Sequence, residues 1–142
     1  MLAWRLPATS STPRVTVWRT LRRLGAILLT PGAAILPFSD DHQERLDWIA
    51  QDVDDAGGQA WVLPVTELSA AEEARIRAQS RADRDEEYGR LLLEARALPP
   101  ASRLASLRRQ LESISQRDHF SASRRAEAIA VIGMPGRASK RP

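Results

Sequence analysis

The segment from Arg14 to Pro37 (RVTVWRTLRRLGAILLTPGAAILP) constrains this chain more than any other. It joins an arginine-studded helical pattern, a glycine stop and a short apolar hairpin in 24 residues that include no acid. At 100° per residue, Val17, Trp18, Leu21 and Leu24 share one face, while Arg19, Arg22 and Arg23 lie on the other. Thr12 offers an N-cap hydroxyl and Pro13 suits the first helical position, whose N–H has no partner to lose. Gly25 suits the left-handed residue that closes many helices. Ala26–Thr30 and Ala33–Leu36 then flank Pro31-Gly32, a pair fitted to a type II turn. Two-residue hairpins prefer primed turns, so a longer loop is expected there.

The flanking sequence supplies the rest of a small α+β unit. Leu2, Trp4 and Leu6 alternate with Ala3 and Arg5, the period of a half-buried strand, which Pro7 ends. Ser39 with Asp40 and Asp41 opens a second helix, buried along Leu46, Ile49, Ala50 and Val53 and stopped at Gly57-Gly58. A fourth strand is expected over Ala60–Leu68, with Trp61, Leu63 and Val65 on one face and Pro64 arguing for an edge or irregular position. The order βαββαβ is that of the ferredoxin-like fold, an antiparallel sheet with both helices on one face, here spanning residues 1–68.

A helical extension is expected over 69–132. Ser69 and Glu72 form a capping box that starts a long helix reaching about Ala97. Its middle, Gln79–Glu87, is nearly all polar and reads as a solvated, ion-paired face. Apolar spacing resumes at Tyr88, Leu91, Leu92 and Ala95. After Pro99-Pro100, the heptad spacing of Leu104, Leu107, Leu111 and Ile114 suits an antiparallel hairpin with that helix or with a partner chain. A short helix near Ser123–Ile132 precedes a basic tail, 133–142, expected to be disordered.

Charge is segregated along the chain. The net charge is +3, but residues 1–38 carry +5, 39–68 carry −7, 69–98 carry −1 and 99–142 carry +6. Such blocks predict a bipolar surface that attracts a polyanion at one place and repels it at another. The bland alternative is compositional, because all but one of the 21 basic residues are arginine. The absence of cysteine excludes disulfides, thiolate metal sites and cysteine nucleophiles, and it fits a cytoplasmic protein. The longest uncharged run, Leu24–Ser39, is too short to span a bilayer and is broken at Thr30-Pro31-Gly32. No signal peptide is recognisable either, so no membrane partner is expected.

Catalytic residues, a resident metal and a cofactor are not expected. No G-x-S-x-G, P-loop or dinucleotide fingerprint occurs, and Ser10-Ser11 has no histidine nearby in sequence. Asp40, Asp41, His42 and Glu44 superficially resemble metal ligands, but helix capping accounts for the aspartates. The acids Asp83, Asp85, Glu86 and Glu87 interleave with Arg81, Arg84 and Arg90, which suits ion pairing better than acid–base work. The candidate nucleic-acid-binding residues are Arg19, Arg22 and Arg23, helped by Arg14, because guanidinium groups make bidentate contacts to phosphate and guanine. Trp18 is expected in the core rather than as a base-stacking platform, and Trp48 either packs under the long helix, the favoured reading, or offers a partner surface.

Several of these elements resemble a known family. The pattern R-V-x-V-W-R-x-L-R-R-L-G-A at Arg14–Ala26, the hairpin ending in Leu36-Pro37, the Gly57-Gly58 step and R-D-E-E-Y at Arg84–Tyr88 are similar to the N-terminal domain of ChrB-type chromate-resistance regulators. Arg117-Asp118-His119-Phe120 resembles an R-D-x-F element near the end of that domain, so the likeness covers about residues 2–132. The resemblance implies transcriptional control of a chromate-efflux operon, with a further C-terminal, chromate-responsive domain that is expected to be missing here or encoded elsewhere. The fold also resembles those of PaaX-type repressors and small CRISPR adaptation nucleases. Those nucleases use an aspartate at the end of the first strand, where this chain has Leu6-Pro7.

Two expectations follow from the residues and the resemblance together. The chain is a regulatory module that binds operator DNA, or it is an interaction module that forms a homodimer or docks a separate C-terminal sensor domain. An enzyme is not expected. Chromate itself is not an expected ligand, since no localised Gly-rich nest offers an oxyanion site.

Overall fold

In the computed structural model, residues 1–9 and 11–133 are described. The elements in chain order are β1 (Leu2–Arg5), α1 (Ser11–Arg23), β2 (Ile27–Thr30), β3 (Ala33–Ile35), α2 (Asp40–Asp55), β4 (Gln59–Val62), α3 (Ala70–Arg96), α4 (Ala101–Arg117) and α5 (Arg125–Ile132). They form two compact units, Met1–Ile76 and Arg77 onward, so the division falls inside α3. The expected basic tail lies outside the described residues after Gly133. Among the described residues, no helix is long and apolar enough to cross a membrane.

The first unit is α+β. Its four strands form one sheet in the order β2-β3-β1-β4, and every neighbouring pair is antiparallel. It follows that β1 and β2 run parallel with β3 between them, joined by α1, and that β3 and β4 run parallel with β1 between them, joined by α2. Leu2 and Trp4 of β1 meet Ala34, Leu36, Val17 and Leu21 together with Leu46, Ile49 and Val53 of α2 in a single core. Both helices therefore cover the same face of the sheet. Each of these Leu, Ile and Val side chains contributes about 1.5–3 kcal/mol through burial.

Local signals explain where the helices stop. The Ala26 N–H donates to the Leu21 carbonyl at 3.0 Å and the Gly25 N–H to Arg22 at 3.1 Å, with Gly25 at φ 74°. This double closure satisfies carbonyls that the end of α1 would otherwise leave open. At the start of α2, the Ser39 hydroxyl accepts the His42 N–H at 3.1 Å, as the capping signal predicts. The capping box of α3 is also present. Glu72 accepts from the Ser69 amide and hydroxyl, and the Ser69 hydroxyl accepts the Glu72 N–H. These bonds hold the Glu72 carboxyl below its ordinary pKa.

Four expectations are corrected here. Helix α1 already includes Ser11, so Thr12 is not its N-cap and Pro13 is its third residue. The hairpin loop is only Pro31-Gly32, because Thr30 pairs with Ala33 across a bulge that adds Leu29 to β2. Gly32 lacks the positive φ a type II turn demands. Glycine is needed there for close approach instead, since an added Cβ would lie 2.6 Å from the Trp4 carbonyl oxygen.

The other two concern β4 and Trp48. Strand β4 ends at Val62, short of the expected Leu68. Ala60 and Val62 pack against the core, whereas Trp61, Leu63 and Val65 are exposed. Register decides this, because Ala60 lies directly opposite the inward Trp4, and paired residues share a face. Trp48 is 66% exposed rather than packed beneath a helix.

The second unit is helical. Tyr88, Leu91 and Leu92 of α3 pack with Leu107, Leu111 and Ile114 of α4 and with Ala122, Ala128 and Ile132. Tyr88 meets Ser115 while Glu94 pairs with Arg103, so α3 and α4 run antiparallel, as the heptad spacing predicts.

Candidate nucleic-acid interface

Helix α1 packs on α2 and the sheet through Val17 and Leu21, with Leu24 partly buried. One turn or less from these anchors, Arg14, Arg19, Arg22 and Arg23 are all exposed. The helix has no acid in its first turn, and Arg22 and Arg23 occupy its last, where they also complement the negative end of the helix dipole. The Arg14 guanidinium donates to the Pro7 carbonyl at 3.2 Å, tying the helix to the loop after β1. Arg14 thus has one local structural bond and further donors facing outward.

Trp18 departs from its expected place in the core. The residue is 42% exposed, with the Arg22 guanidinium 4.8 Å from the ring centroid. Its position 60° from the buried Leu21 and 40° from the exposed Arg14 puts it at the border of the apolar stripe. The cation–π contact orients Arg22 along the surface of α1.

The neighbouring helix has the opposite character. Helix α2 carries Asp40, Asp41, Glu44, Asp47, Asp52, Asp54 and Asp55 against the single base Arg45, which pairs with Asp41 at 2.9 Å. The basic and acidic blocks of the sequence become adjacent helices of one unit, packed side by side. The His42 ring nitrogen Nδ1 lies 2.8 Å from the Pro37 carbonyl, a contact that places it against the loop before α2. Among the described residues, no group of three or more His, Cys, Asp or Glu side chains is arranged to hold a metal ion.

The sequence reading also missed a buried charged cluster in the second unit. The segment Gln79–Glu87 was expected to be solvated, yet Ser80 and Arg84 are buried in α3. The Arg84 guanidinium donates to Glu87 at 3.3 Å, and Arg117 reaches the same carboxylate oxygen at 3.1 Å. One turn on, the Tyr88 hydroxyl donates to the buried Asp118 carboxylate, which also accepts the Ala122 N–H at 3.0 Å. Arg81 donates to the Phe120 carbonyl at 2.8 Å, and Arg77 lies over the Phe120 ring. The R-D-E-E-Y and R-D-H-F segments therefore meet in space. A signal was present, because Ser80, Arg84, Tyr88 and Leu91 recur at helical spacing on one stripe.

Comparison with known proteins places these elements in a lineage. The family described as "Protein ChrB, N-terminal" matches residues 14–98, from the first arginine of the basic face through the R-D-E-E-Y segment. The R-D-H-F segment lies beyond that span. The curated Protein ChrB of Cupriavidus metallidurans is 34% identical over 94 residues, which is 66% of this chain and 28% of that relative. No solved structure matches.

Proposed function

The chain belongs to the family of ChrB N-terminal domains, and on that premise we propose that it is a non-catalytic, cytoplasmic DNA-binding module of a chromate-resistance transcriptional regulator. The observation that carries this reading is the acid-free face of α1, where Arg19, Arg22 and Arg23 are exposed together and Arg14 flanks them. Guanidinium groups spaced along one helix match successive phosphates, and the acidic α2 alongside would repel a duplex laid across it. Within the first unit, a polyanion is thereby favoured on the α1 side and disfavoured on the α2 side. We also assign the first unit to the ferredoxin-like class, on the split connections of its sheet.

The test is an electrophoretic shift or anisotropy titration with the DNA upstream of the operon that encodes the chain. Replacing Arg19, Arg22 and Arg23 together by glutamine should abolish the complex while leaving the circular dichroism spectrum unchanged. Unchanged binding by a folded triple variant would refute the assignment of this face.

A second reading has its own observation. Strand β4 is an edge of the sheet, and Trp61, Leu63 and Val65 on and just after it are exposed. An apolar edge can pair with a second copy or with a separate sensor domain. Light scattering across micromolar concentrations tests the homodimer, and a strict monomer would remove it.

A further inference from the structure

The exposed side of α1 and the β2–β3 hairpin enclose a cleft of about 560 Å³, lined by Trp4, Arg14, Val15, Trp18, Arg19 and the hairpin residues from Leu28 to Pro31. We infer that this cleft is a binding site for a small aromatic anion, a ring system bearing a carboxylate or a comparable acidic group.

Three features of the cleft carry the assignment. Its walls are mainly aromatic and aliphatic, and its volume falls within the range that encloses a small organic ligand. Its only charged lining residues are Arg14 and Arg19, with no carboxylate to oppose an anion. Finally, the bulge in β2 brings two consecutive residues to the same cleft. In a regular strand Leu28 and Leu29 would point to opposite faces. The extra residue at Leu29 breaks the alternation, so that Leu28 packs toward the core while Leu29 stays 42% exposed and both line the cavity.

The chemistry selects the occupant. A flat ring covers Trp18, Val15 and Leu29, which are each two-fifths or more exposed. An acidic group on that ring meets Arg14 and Arg19, which lie on either side of Val15 and Trp18 in sequence. Arg14 is pre-positioned by its bond to the Pro7 carbonyl. A phosphodiester backbone would satisfy the two guanidinium groups but bury none of the apolar wall. The site goes beyond the DNA-binding proposal, and its test uses no duplex DNA, so either can fail without the other.

The experiment is a proton–nitrogen correlation titration of the full chain with three probes: 2-naphthoate, the uncharged 2-naphthalenemethanol and inorganic phosphate. Naphthoate should saturate below roughly 1 mM and shift the Trp18 indole and the Val15, Leu29 and Thr30 amides, with the other two probes much weaker. The double variant Arg14→Gln/Arg19→Gln should weaken naphthoate by about tenfold or more and bring it level with the alcohol. Val15→Trp, at an exposed position, should fill the cleft and block the probe while preserving spectral dispersion. Equal binding of acid and alcohol, unchanged affinity in the double variant, or shifts located elsewhere would overturn the inference. So would a short oligothymidylate that shifts these signals when naphthoate does not, which would reassign the cleft to a nucleobase.

Discussion

The Tyr88 hydroxyl donates to Asp118 Oδ2 at 3.2 Å, linking two residues 30 positions apart in the helical unit. Tyr88 has no exposed surface, and Asp118 also accepts the Ala122 amide and lies 3.9 Å from Arg125. This pair joins the end of α4 to the middle of α3, and it makes the tyrosine sensitive to the integrity of the whole cluster.

Tyr88 is the only tyrosine in the chain, so phenolate absorbance reports it alone. Burial pushes its pKa up, a bond with Ser115 opposes the rise, and the Asp118 charge and hydrogen bond reinforce it. A folded value above the unfolded one means that its contribution to stability is present below the unfolded pKa, near 10, and is lost as pH rises through the folded value. The phenol should therefore ionise above the ordinary range, together with loss of helical signal. Tyr88→Phe should cost about 1–2 kcal/mol in urea unfolding, and an unchanged midpoint would contradict the bond.

Asp85 should shape the acid side. Desolvation alone would raise its pKa, but donation from the Arg124 amide and the Ser123 hydroxyl, both at 2.7 Å, outweighs it and sets the carboxyl low. Its contribution is present above the unfolded value, about 3.9, and fades as pH falls through the lower folded value. Asp85→Asn should flatten the decline of unfolding free energy across that window. Identical acid limbs for both proteins would exclude the residue.

Glu87 neutralises two guanidinium groups, one of them on the buried Arg84. Removing it by Glu87→Ala leaves Arg84 buried and uncompensated, at a cost of about 3 kcal/mol in chemical denaturation. The neighbouring exposed pair Arg90–Glu86 is the control. Glu86→Ala should change stability by less than about 1 kcal/mol.

Gly32→Ala should destabilise the first unit by about 1–3 kcal/mol, since the obstructing atom is the Trp4 backbone oxygen and cannot rotate away. Thermal unfolding monitored by tryptophan fluorescence would detect it, and a neutral result would mean that the hairpin shifts.

If α1 contacts phosphates, the logarithm of DNA affinity should fall linearly with the logarithm of salt. Each lost contact removes about 0.9 from the slope, so the triple variant of Arg19, Arg22 and Arg23 should flatten it by about 2–3 where binding is still measurable. A full-strength slope in that variant would place the contacts on other bases.

Sequence alone determined most features governed by neighbours along the chain, the start of α1 and the turn at Pro31-Gly32 excepted. Helix starts at Ser39 and Ser69, the closure at Gly25, the stripes Leu46–Ile49–Val53 and Leu107–Leu111–Ile114, and the exposure of Arg19, Arg22 and Arg23 all follow from periodicity and capping, whose interactions reach no more than about five residues. Tertiary structure decided what depends on a distant partner. Register against β1 turned Trp61 outward, and the Trp4 carbonyl explained Gly32. The same division applies to the sites. An arginine face can be read from one helix, whereas the cleft beside it needs the hairpin, and the burial of Arg84 needs Glu87, Arg117 and the α3–α4 core, because a charge leaves water only where folding supplies its counterion.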